Sequence, residues 1–485
     1  MSDSSSTEAL LAILRRDLAG LAPGERLSSS RELIARHGVG PVTVSRAIAQ
    51  LAAEGAVVTR PGSGTYAAPR QARAGAAAED TSWQAIALSG HDRGPGATDP
   101  DAAPGEFGPS APVPAGTIAL SGGYLHENLQ PTRALGAALA RAARRPDAWH
   151  RAPAAGLAPL RAIFARQAGG AVAPEDVLVT GGGQGALSML FRAIVAPGSP
   201  LLVESPTYPG ALAAARAAGL RPVPVPTDDE GVRTDLLAEA FAMTGARLFY
   251  CQPTFHNPTG AVLAPERRRQ VVDVARAAGA FLIEDDFARH LGHGRPVPRP
   301  LVADDRDGTV IHLTSLTKPA SPSLRIGALI ARGPVMRRLL EARRVDDFFI
   351  ARPLQEAAVE LLSTPAWDRH LRSLATALRE RRAVLVDALS HEVPDWTPGL
   401  PQPSAGQTPA GGLHLWLRLP PALVDTAVTA AARDHGVAVD AGRHYFPAEP
   451  PTDRLRLNLA AAADLAELAE AARRLAVTAR SLAGS

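Results

Sequence analysis

The segment "LTSLTKPASPSLRIG", residues 313–327, contains Lys318, the only lysine among the 51 basic residues of the chain. Arginine stays protonated in proteins and therefore offers no nucleophilic amine. Lysine does, because burial or a nearby cation lowers its pKa, and the free amine forms Schiff bases with aldehydes. Two interpretations follow from this residue alone: a chance remnant of a bias toward arginine, or a position where arginine cannot do the chemistry.

Other polar side chains follow short apolar runs. Tyr208 lies in "ESPTYPG", Asn257 in "FHNPTG" and Asp285 in "IEDDF". The glycine-rich stretch "VTGGGQG" leads into a helical pattern, and the amides at a helix start favour a phosphate. Taken singly, each feature has a structural explanation: a tight connection for the glycines, and an arginine partner for the buried carboxylate.

The apolar runs predict the strands that position these residues. Helical, alanine-rich segments separate them, which indicates an α/β domain with a mixed, mostly parallel sheet. Ligands of such sheets bind beyond the carboxyl ends of the strands, where the polar residues cluster. Near the C-terminus, "GGLHLWLRL" and "RLRLNLA" predict a small α+β lobe. The predicted strands are "VLVT" (177–180), "PLLVES" (200–205), "RLFYCQP" (247–253), "AFLIEDD" (280–286), "VIHLTS" (310–315) and "IGALIA" (326–331).

Composition limits the class of protein. A chain of 485 residues predicts two or three domains, and the single Cys251 excludes a disulfide framework. No apolar run reaches the length of a membrane span and the N-terminus lacks a secretory pattern, so we expect a cytoplasmic protein without a membrane partner. The net charge of +3 is too small to indicate nucleic acid by itself.

The chain is predicted to have three parts. Residues 7–68 are compact and periodic, and residues 69–117 are rich in Ala, Gly, Pro, Asp and Ser with little apolar patterning. The middle part therefore reads as a flexible linker with an r.m.s. span of roughly 40 Å. Residues 118–485 form the α/β domain with its C-terminal lobe.

Residues 27–68 carry the pattern of a helix-turn-helix with a wing. Ser29 and Glu32 have the spacing of a capping box, "HGVG" ends that helix, and Pro41 suits the first turn of the next. "AVVTRPGSGTYAA" then predicts a strand, a Pro-Gly turn and a second strand. A small helical packing module with solvated surface arginines is the alternative.

This arrangement resembles the winged helix of the GntR superfamily over about 60 residues, although Ser28 stands where that family usually has proline. The resemblance implies binding to double-stranded DNA. Arg46 would reach a guanine edge in the major groove, while hydroxyls and exposed backbone amides suit phosphates. The DNA-binding residues that it implies are Arg31, Thr43, Ser45 and Arg46 on the helices, with Arg60, Gly62, Ser63 and Gly64 in the wing.

Residues 118–480 resemble fold type I enzymes of the aspartate aminotransferase class, which use pyridoxal 5′-phosphate (PLP). The resemblance implies that Lys318 holds the cofactor aldehyde as a Schiff base and that Asp285 pairs with the ring nitrogen, which keeps the ring an electron sink. Asn257 would donate to the ring oxygen, and Tyr208 would stack on the ring. The phosphate would be held by Gly183, Gln184, Ser315 and Arg325.

Arg456, in "RLRLNLA", stands where that class binds a substrate carboxylate. A surface arginine beside Arg454 is the alternative. Two departures from the family pattern are present. Phe287 replaces the tyrosine that usually follows the aspartate by two residues. In "WHRAPAAGLAPLR", Arg151 or His150 stands where a family tyrosine reaches the phosphate of the neighbouring subunit.

A winged helix, a linker and a fold type I domain in one chain resemble the MocR family of GntR-type transcription regulators. That resemblance implies a head-to-tail, domain-swapped homodimer in which PLP and a small amino acid or amine effector alter binding to a DNA operator; no metal is implied. Two alternatives are open. One is a working aminotransferase with an accessory N-terminal module, and the other is a binding protein that keeps the fold without PLP.

Overall fold

The computed structural model describes residues 3–60, 62–68, 116–396, 411–448 and 450–483. The predicted linker therefore lies almost entirely outside the described residues. The chain divides into two compact units, one at each end. No helix within the described ranges is both long and apolar enough to cross a membrane.

The N-terminal unit is a winged helix, as predicted. Its helices pack on one apolar cluster that includes Leu10, Leu14, Leu33, Val44 and Leu51. The antiparallel wing pairs Val57 with Ala67 and Arg60 with Gly64. The elements are helices α1 (Asp3–Gly20), α2 (Ser30–His37) and α3 (Pro41–Ala53), followed by strands β1 (Val57–Arg60) and β2 (Gly64–Ala67).

Local capping fixes the helix-turn-helix. The backbone amide of Ser29 donates to Glu32 Oε2 at 2.7 Å, and the amide of Glu32 donates to Ser29 Oγ at 3.3 Å. The predicted capping box is thus confirmed, and Ser28 does not disturb it. Gly38 ends α2 with φ +61°, a conformation that favours glycine, and Pro41 opens α3 at its first turn.

An eight-stranded sheet forms the centre of the C-terminal unit, in the order β4-β11-β10-β9-β8-β5-β6-β7. Strands β10, β9, β8, β5 and β6 run parallel, while β11 pairs antiparallel with both β10 and β4. The predicted mixed, mostly parallel sheet is confirmed. The strands are β4 (Val177–Thr180), β5 (Pro200–Ser205), β6 (Arg221–Asp228), β7 (Gly231–Val232), β8 (Leu248–Cys251), β9 (Phe281–Asp285), β10 (Val310–Ser315) and β11 (Gly327–Ile330).

Helices cover both faces of this sheet and bury two large apolar clusters against it. Strands β4, β5, β8, β9, β10 and β11 are buried on both faces, which explains why they read as continuous apolar runs rather than as alternating patterns. The helices are α4 (Thr132–Ala143), α5 (Ala158–Ala168), α6 (Gly183–Ile194), α7 (Pro209–Ala217), α8 (Thr234–Thr244), α9 (Pro265–Ala277), α10 (Pro334–Asp346) and α11 (Arg352–Leu362).

The C-terminal lobe is the predicted α+β unit. A three-stranded sheet in the order β12-β15-β14 packs on helices and encloses its own core, and a short parallel pair joins β13 to β3. Its elements are β3 (Ile118–Ala119), α12 (Pro365–Glu392), β12 (His414–Arg418), α13 (Asp425–Asp434), β13 (Val437–Ala438), β14 (Asp440–Ala441), β15 (Arg454–Asn458) and α14 (Leu465–Ala483).

Candidate functional site

A cavity of about 570 Å³, including its open mouth, lies beyond the carboxyl ends of the central strands. The predicted residues reach it from five different strand ends, because parallel strands finish at the same edge of a sheet. All nine residues predicted to bind the cofactor line this cavity. They are Gly183, Gln184, Tyr208, Asn257, Asp285, Phe287, Ser315, Lys318 and Arg325; Tyr124, Leu187, Gln252, Thr317 and His414 complete the lining.

Lys318 follows β10 by three residues and points its amine into the cavity. Its Nζ lies 4.0 Å from the centroid of the Tyr124 ring. An aromatic face attracts an ammonium group and also shields it from bulk water. Tyr124 itself is 44% exposed, so it covers the lysine at the cavity mouth.

Asp285, the last residue of β9, offers one carboxylate oxygen to a ligand. Tyr250 Oη donates to Oδ2 at 2.6 Å and Gln252 Nε2 donates to the same oxygen at 2.9 Å. Oδ1 is buried and has no hydrogen-bond partner among the described residues. Burial raises the pKa of this carboxyl, and both donors are neutral. A protonated ring nitrogen at Oδ1 would supply the missing donor and a compensating charge.

The opposite end of the cavity has the features of a phosphate site. Gly183 begins α6 without a side-chain cap, so the first amides of that helix are available to an anion. Gly182 has φ +91°, and a Cβ there would lie 2.9 Å from the Arg325 guanidinium. Within the described residues the Arg325 side chain makes no hydrogen bond or ion pair. Only a residue without a side chain leaves that guanidinium open to an anion.

Ser315 and Thr317 add hydroxyls to this end. Ser315 Oγ donates to Thr317 Oγ1 at 2.9 Å and accepts from the Thr317 amide at 3.1 Å. Gln184 contributes through its backbone, because its side chain is engaged elsewhere: Nε2 donates to Gly210 O at 2.9 Å. The Tyr208 hydroxyl in turn donates to Gln184 Oε1 at 3.2 Å, which holds the phenol ring at the cavity wall.

Asn257 is oriented by Arg456, whose Nη1 donates to Asn257 Oδ1 at 3.1 Å. The amide nitrogen of Asn257 is therefore the group turned to the cavity, as a ring oxygen acceptor would require. Phe287 lines the same wall and offers no donor. The cavity thus fits PLP: an orphaned carboxylate oxygen, an open phosphate cradle and a lysine lie around one space.

Arg456 lies behind this wall rather than on it. The side chain is fully buried and does not line the cavity within the described structure. It forms an ion pair with Asp440, and its Nη2 also donates to Gly122 O at 2.7 Å. Its binding of an effector carboxylate stays a prediction.

Several lining residues were not predicted from the sequence. His414, on β12, is 4% exposed, and its Nδ1 has no hydrogen-bond partner among the described residues. Burial, then the positive charges of Arg456 and Lys318, holds the pKa of this imidazole well below its usual range, so it is neutral. The signal "GGLHLWLRL" identified the strand, but nothing in it distinguished His414 from the other inward-facing positions.

Glu284 of β9, the following Asp286 and His312 of β10 place ligand atoms within 4.8 Å of one another. Arg289 forms an ion pair with Asp286, His312 Nδ1 lies 2.9 Å from Glu284 Oε2, and two backbone amides donate to Glu284. Arg289, His312 and backbone amides thus serve these carboxylates within the protein, while Asp286 Oδ1 has no hydrogen-bond partner among the described residues. This cluster is a buried charge network of the fold.

The winged helix places most of its predicted DNA contacts on its surface. Arg31, Ser45 and Arg46 are exposed, but Thr43 is only 7% exposed. Position 43 joins Val44, Ala47 and Leu51 on the packed stripe of α3, so contact of Thr43 with DNA stays a prediction.

A cleft joins the start of α2 to the wing. Arg60, with its guanidinium 4.9 Å from the centroid of the Tyr66 ring, borders the cleft together with Gly62, Ser63 and Gly64. Arg26, which was not predicted, lies against Gly64, where a Cβ would meet its guanidinium at 2.9 Å. Cationic and hydroxyl groups that converge on one cleft suit a phosphate backbone.

His150 and Arg151 are exposed, and neither lines the cavity of the described chain. The Arg151 guanidinium lies 5.8 Å from the centroid of the Phe349 ring. Contact of either residue with the phosphate of a partner subunit stays a prediction.

Comparison with known proteins agrees with both halves of this description. Residues 121–475 match the family of class I and II aminotransferases, and residues 7–67 match the gntR family of bacterial regulatory proteins. YdcR of Escherichia coli, an uncharacterized HTH-type transcriptional regulator, is 30% identical over 90% of this chain and 91% of its own length. The HTH-type transcriptional regulator TauR of Rhodobacter capsulatus is 28% identical over 89% and 87%.

Among solved structures, the α-aminoadipate aminotransferase LysN of Thermus thermophilus superposes with a TM-score of 0.70 and 30% identity. The match covers 77% of this chain and 94% of LysN, which was solved in complex with N-(5′-phosphopyridoxyl)-L-leucine. The fold, the PLP pocket and the two matched regions lead to one assignment: the chain belongs to the MocR family of GntR-type transcription regulators, in which a winged helix is joined to an aminotransferase-like, PLP-binding domain.

Proposed function

We propose that this protein regulates transcription by binding an operator through residues 7–68 and sensing a small amino acid or amine at Lys318, in the domain of residues 118–485. The observation that carries the proposal is the presence, in one chain, of an exposed recognition helix and a cofactor pocket built around the only lysine. As a DNA-binding regulator it acts in the cytoplasm, where the bacterial chromosome lies.

PLP, when bound, supplies an aldehyde that reacts with primary amines and a ring that withdraws electrons. Lys318 would hold it through its amine, the group for which the primary amine of an effector would compete. Asp285 would hold the proton on the ring nitrogen through Oδ1, and Asn257 would donate to the ring oxygen. The helix start at Gly183, together with Arg325, would anchor the phosphate.

We propose that the active form is a homodimer with exchanged domains. One winged helix per chain gives a single recognition helix, and two are needed to read two half-sites about 34 Å apart. Exposed apolar side chains support an association surface on the C-terminal unit: Trp149 is 78% exposed and Phe348 is 59% exposed. His150 and Arg151 adjoin Trp149, and we propose that one of them reaches the phosphate bound by the partner.

An active aminotransferase with an accessory N-terminal module is the second candidate. The complete cofactor pocket favours it, because the same residues would serve turnover. Two measurements on the full-length protein separate the candidates: an electrophoretic mobility shift with the DNA upstream of its own gene, and steady-state transamination of a panel of amino acids. Specific DNA binding that changes with an amine ligand supports regulation. Enzyme-like turnover without specific DNA binding would establish the second candidate.

A further inference from the structure

Asp440 is the carboxylate of the protein that forms an ion pair with Arg456. Arg456 lies in the middle strand of the three-stranded sheet, and the strand register puts Asp440 of β14 directly opposite it. Asp440 Oδ2 accepts from Arg456 Nε at 3.2 Å and also from Nη2. The guanidinium edge formed by these two nitrogens is thus filled by a carboxylate of the protein itself.

The remaining sides of the guanidinium have partners as well. Nη1 donates to Asn257 Oδ1 at 3.1 Å, Nη2 donates to Gly122 O at 2.7 Å, and the Tyr445 ring lies 4.9 Å from Cζ. A second carboxylate that seeks a two-point contact with Arg456 must therefore compete with Asp440. Two carboxylates on one buried cation would leave a net negative charge without compensation.

The two partners differ in access to water. The Arg456 side chain is completely buried, while the Asp440 side chain is 17% exposed. Asp440 can thus rotate toward solvent and be hydrated, which the arginine cannot do from inside the lobe. The carboxylate is the exchangeable member of the pair.

We propose that Asp440 is an internal ligand of Arg456 which an effector carboxylate replaces, so that Asp440 sets the affinity for carboxylate-bearing effectors over simple amines. The inference rests on the proposed sensing function and names the residue that controls effector class. It treats Arg456 as a carboxylate site that is closed until Asp440 leaves.

Replacement of Asp440 by an effector carboxylate would also affect residues 121–125, which precede α4. The Gly122 amide donates to Asp440 Oδ2 at 3.0 Å, and the Gly122 carbonyl accepts from Arg456. Two residues later, Tyr124 lies over Lys318. Replacement of Asp440 removes the acceptor of the Gly122 amide, whereas a carboxylate-free amine that reacts at Lys318 leaves it in place. A carboxylate effector therefore changes the backbone of residues 121–125, and a simple amine does not.

The first test uses propionate, a carboxylate without an amine, and isothermal titration calorimetry of the PLP-loaded full chain. Asp440→Asn keeps the size of the side chain but removes its charge, and it should lower the dissociation constant for propionate about tenfold. Asp425→Asn is the matched control, because Asp425 is a buried carboxylate of the same lobe whose ion pair is with Arg443 rather than with Arg456. This control should match wild type, and Arg456→Ala should abolish propionate binding.

Equal or weaker propionate binding by Asp440→Asn would overturn the inference, since Asp440 would then only position Arg456. The same tightening in Asp425→Asn would also overturn it, because loosening of the lobe would be the cause. A second test compares L-alanine with ethylamine by hydrogen–deuterium exchange. L-alanine should speed hydrogen–deuterium exchange at residues 121–125 in wild type, and ethylamine should not. Equal effects of the two ligands would contradict the replacement of Asp440 by an effector carboxylate.

The proposed function can be contradicted independently of the inference about Asp440. If neither L-alanine nor ethylamine changes the visible absorbance of the cofactor at Lys318, sensing through that lysine is excluded. The propionate measurement does not involve the amine chemistry at Lys318, so it still decides the role of Asp440.

Discussion

The hydroxyl of Tyr250 donates to Asp285 Oδ2 at 2.6 Å, between neighbouring strands of the central sheet. Burial and the adjacent Asp285 raise the pKa of Tyr250 well above its usual value, so the phenol keeps its proton and acts as a donor. The contact stabilises the ionised form of Asp285 and directs its second oxygen, Oδ1, toward the cavity. Tyr250 thus sets the orientation of Asp285, the residue that would pair with the cofactor ring.

Removing this donor should weaken retention of PLP in acid. Burial raises the pKa of Asp285, and the hydrogen bonds from Tyr250 and Gln252 lower it. Tyr250→Phe therefore raises this pKa further. The ionised carboxylate, which pairs with the ring nitrogen, is lost as pH falls through that pKa, so the variant should release PLP at a higher pH than wild type.

The measurement is the cofactor absorbance that remains with the protein after gel filtration at a series of pH values. Tyr66→Phe, which removes a phenol from the winged helix, is the control and should behave as wild type. Release of PLP at the same pH by Tyr250→Phe and wild type would show that the Tyr250 contact does not govern the ionisation of Asp285.

Lys318 should be the only attachment point of PLP. Borohydride reduction of the loaded protein should label a single peptide, because the chain offers no other lysine side chain. Lys318→Arg keeps a cation near Tyr124 but offers no amine that forms a Schiff base, so it should lose the visible absorbance of attached PLP. Label recovered in another peptide, or none from wild type, would contradict the assignment.

Much of the cofactor site was predictable because its parts lie at strand ends. The apolar runs identified β4, β5, β8, β9 and β10, and the polar residues that follow each run necessarily meet at one edge of a parallel sheet. The contributions of Tyr250, Gln252 and His414 were not predictable. They depend on how neighbouring strands pair, and pairing partners cannot be read from one strand.

Strand β6, "RPVPVPTD", was missed because proline normally argues against a strand inside a sheet. The register shows why proline is tolerated here. Pro222, Pro224 and Pro226 alternate with Arg221, Val223 and Val225, so all the prolines have the same orientation along the strand. On its other side β6 meets only the two-residue strand β7, at its end. The missing amides therefore face an edge that is almost unpaired.

Arg46 should carry sequence-specific DNA recognition. It is exposed on α3, so Arg46→Ala removes a side chain able to reach a guanine edge without disturbing the apolar stripe of that helix. We expect a loss of about 1–3 kcal/mol in operator binding and relaxed preference at one base pair. Fluorescence anisotropy with operator and random DNA checks this, with Arg16→Ala on α1 as an exposed control. Unchanged operator binding by Arg46→Ala would remove α3 from the interface.

With Phe287 in place, the Schiff base between Lys318 and PLP should have a higher pKa than in a variant with tyrosine at position 287. Phe287 lines the cavity wall, as does Asn257, and offers no hydrogen bond to a deprotonated ring oxygen. Phe287→Tyr adds such a donor, which favours the deprotonated form, so its visible-absorbance transition should move to lower pH. A transition at the same or a higher pH would show that the residue does not contact the ring oxygen.

His414 should lower the stability of the protein, because it places a buried polar group without a partner in the wall of the cavity. Its buried Nδ1 lacks a hydrogen-bond partner among the described residues, and such a group destabilises a folded chain by about 1–3 kcal/mol. His414→Phe keeps a flat ring of similar size and removes the unpaired nitrogen. We therefore expect a higher melting temperature for the cofactor-free variant and a weaker spectral response of the loaded variant to amino acids.

The pH dependence of unfolding identifies the cause. Burial and the charges of Arg456 and Lys318 depress the pKa of His414. In acid, the imidazole therefore binds a proton in the unfolded chain but stays neutral in the folded chain. Stability is therefore lost as pH falls below the unfolded value of about 6.5. His290 and His293, whose pKa values burial lowers to about 4, contribute in the same direction and remain in the variant. His414→Phe should thus lose less stability than wild type between pH 7 and pH 5 in chemical denaturation. An equal loss in both proteins would mean that His414 is already protonated, or paired, in the folded state.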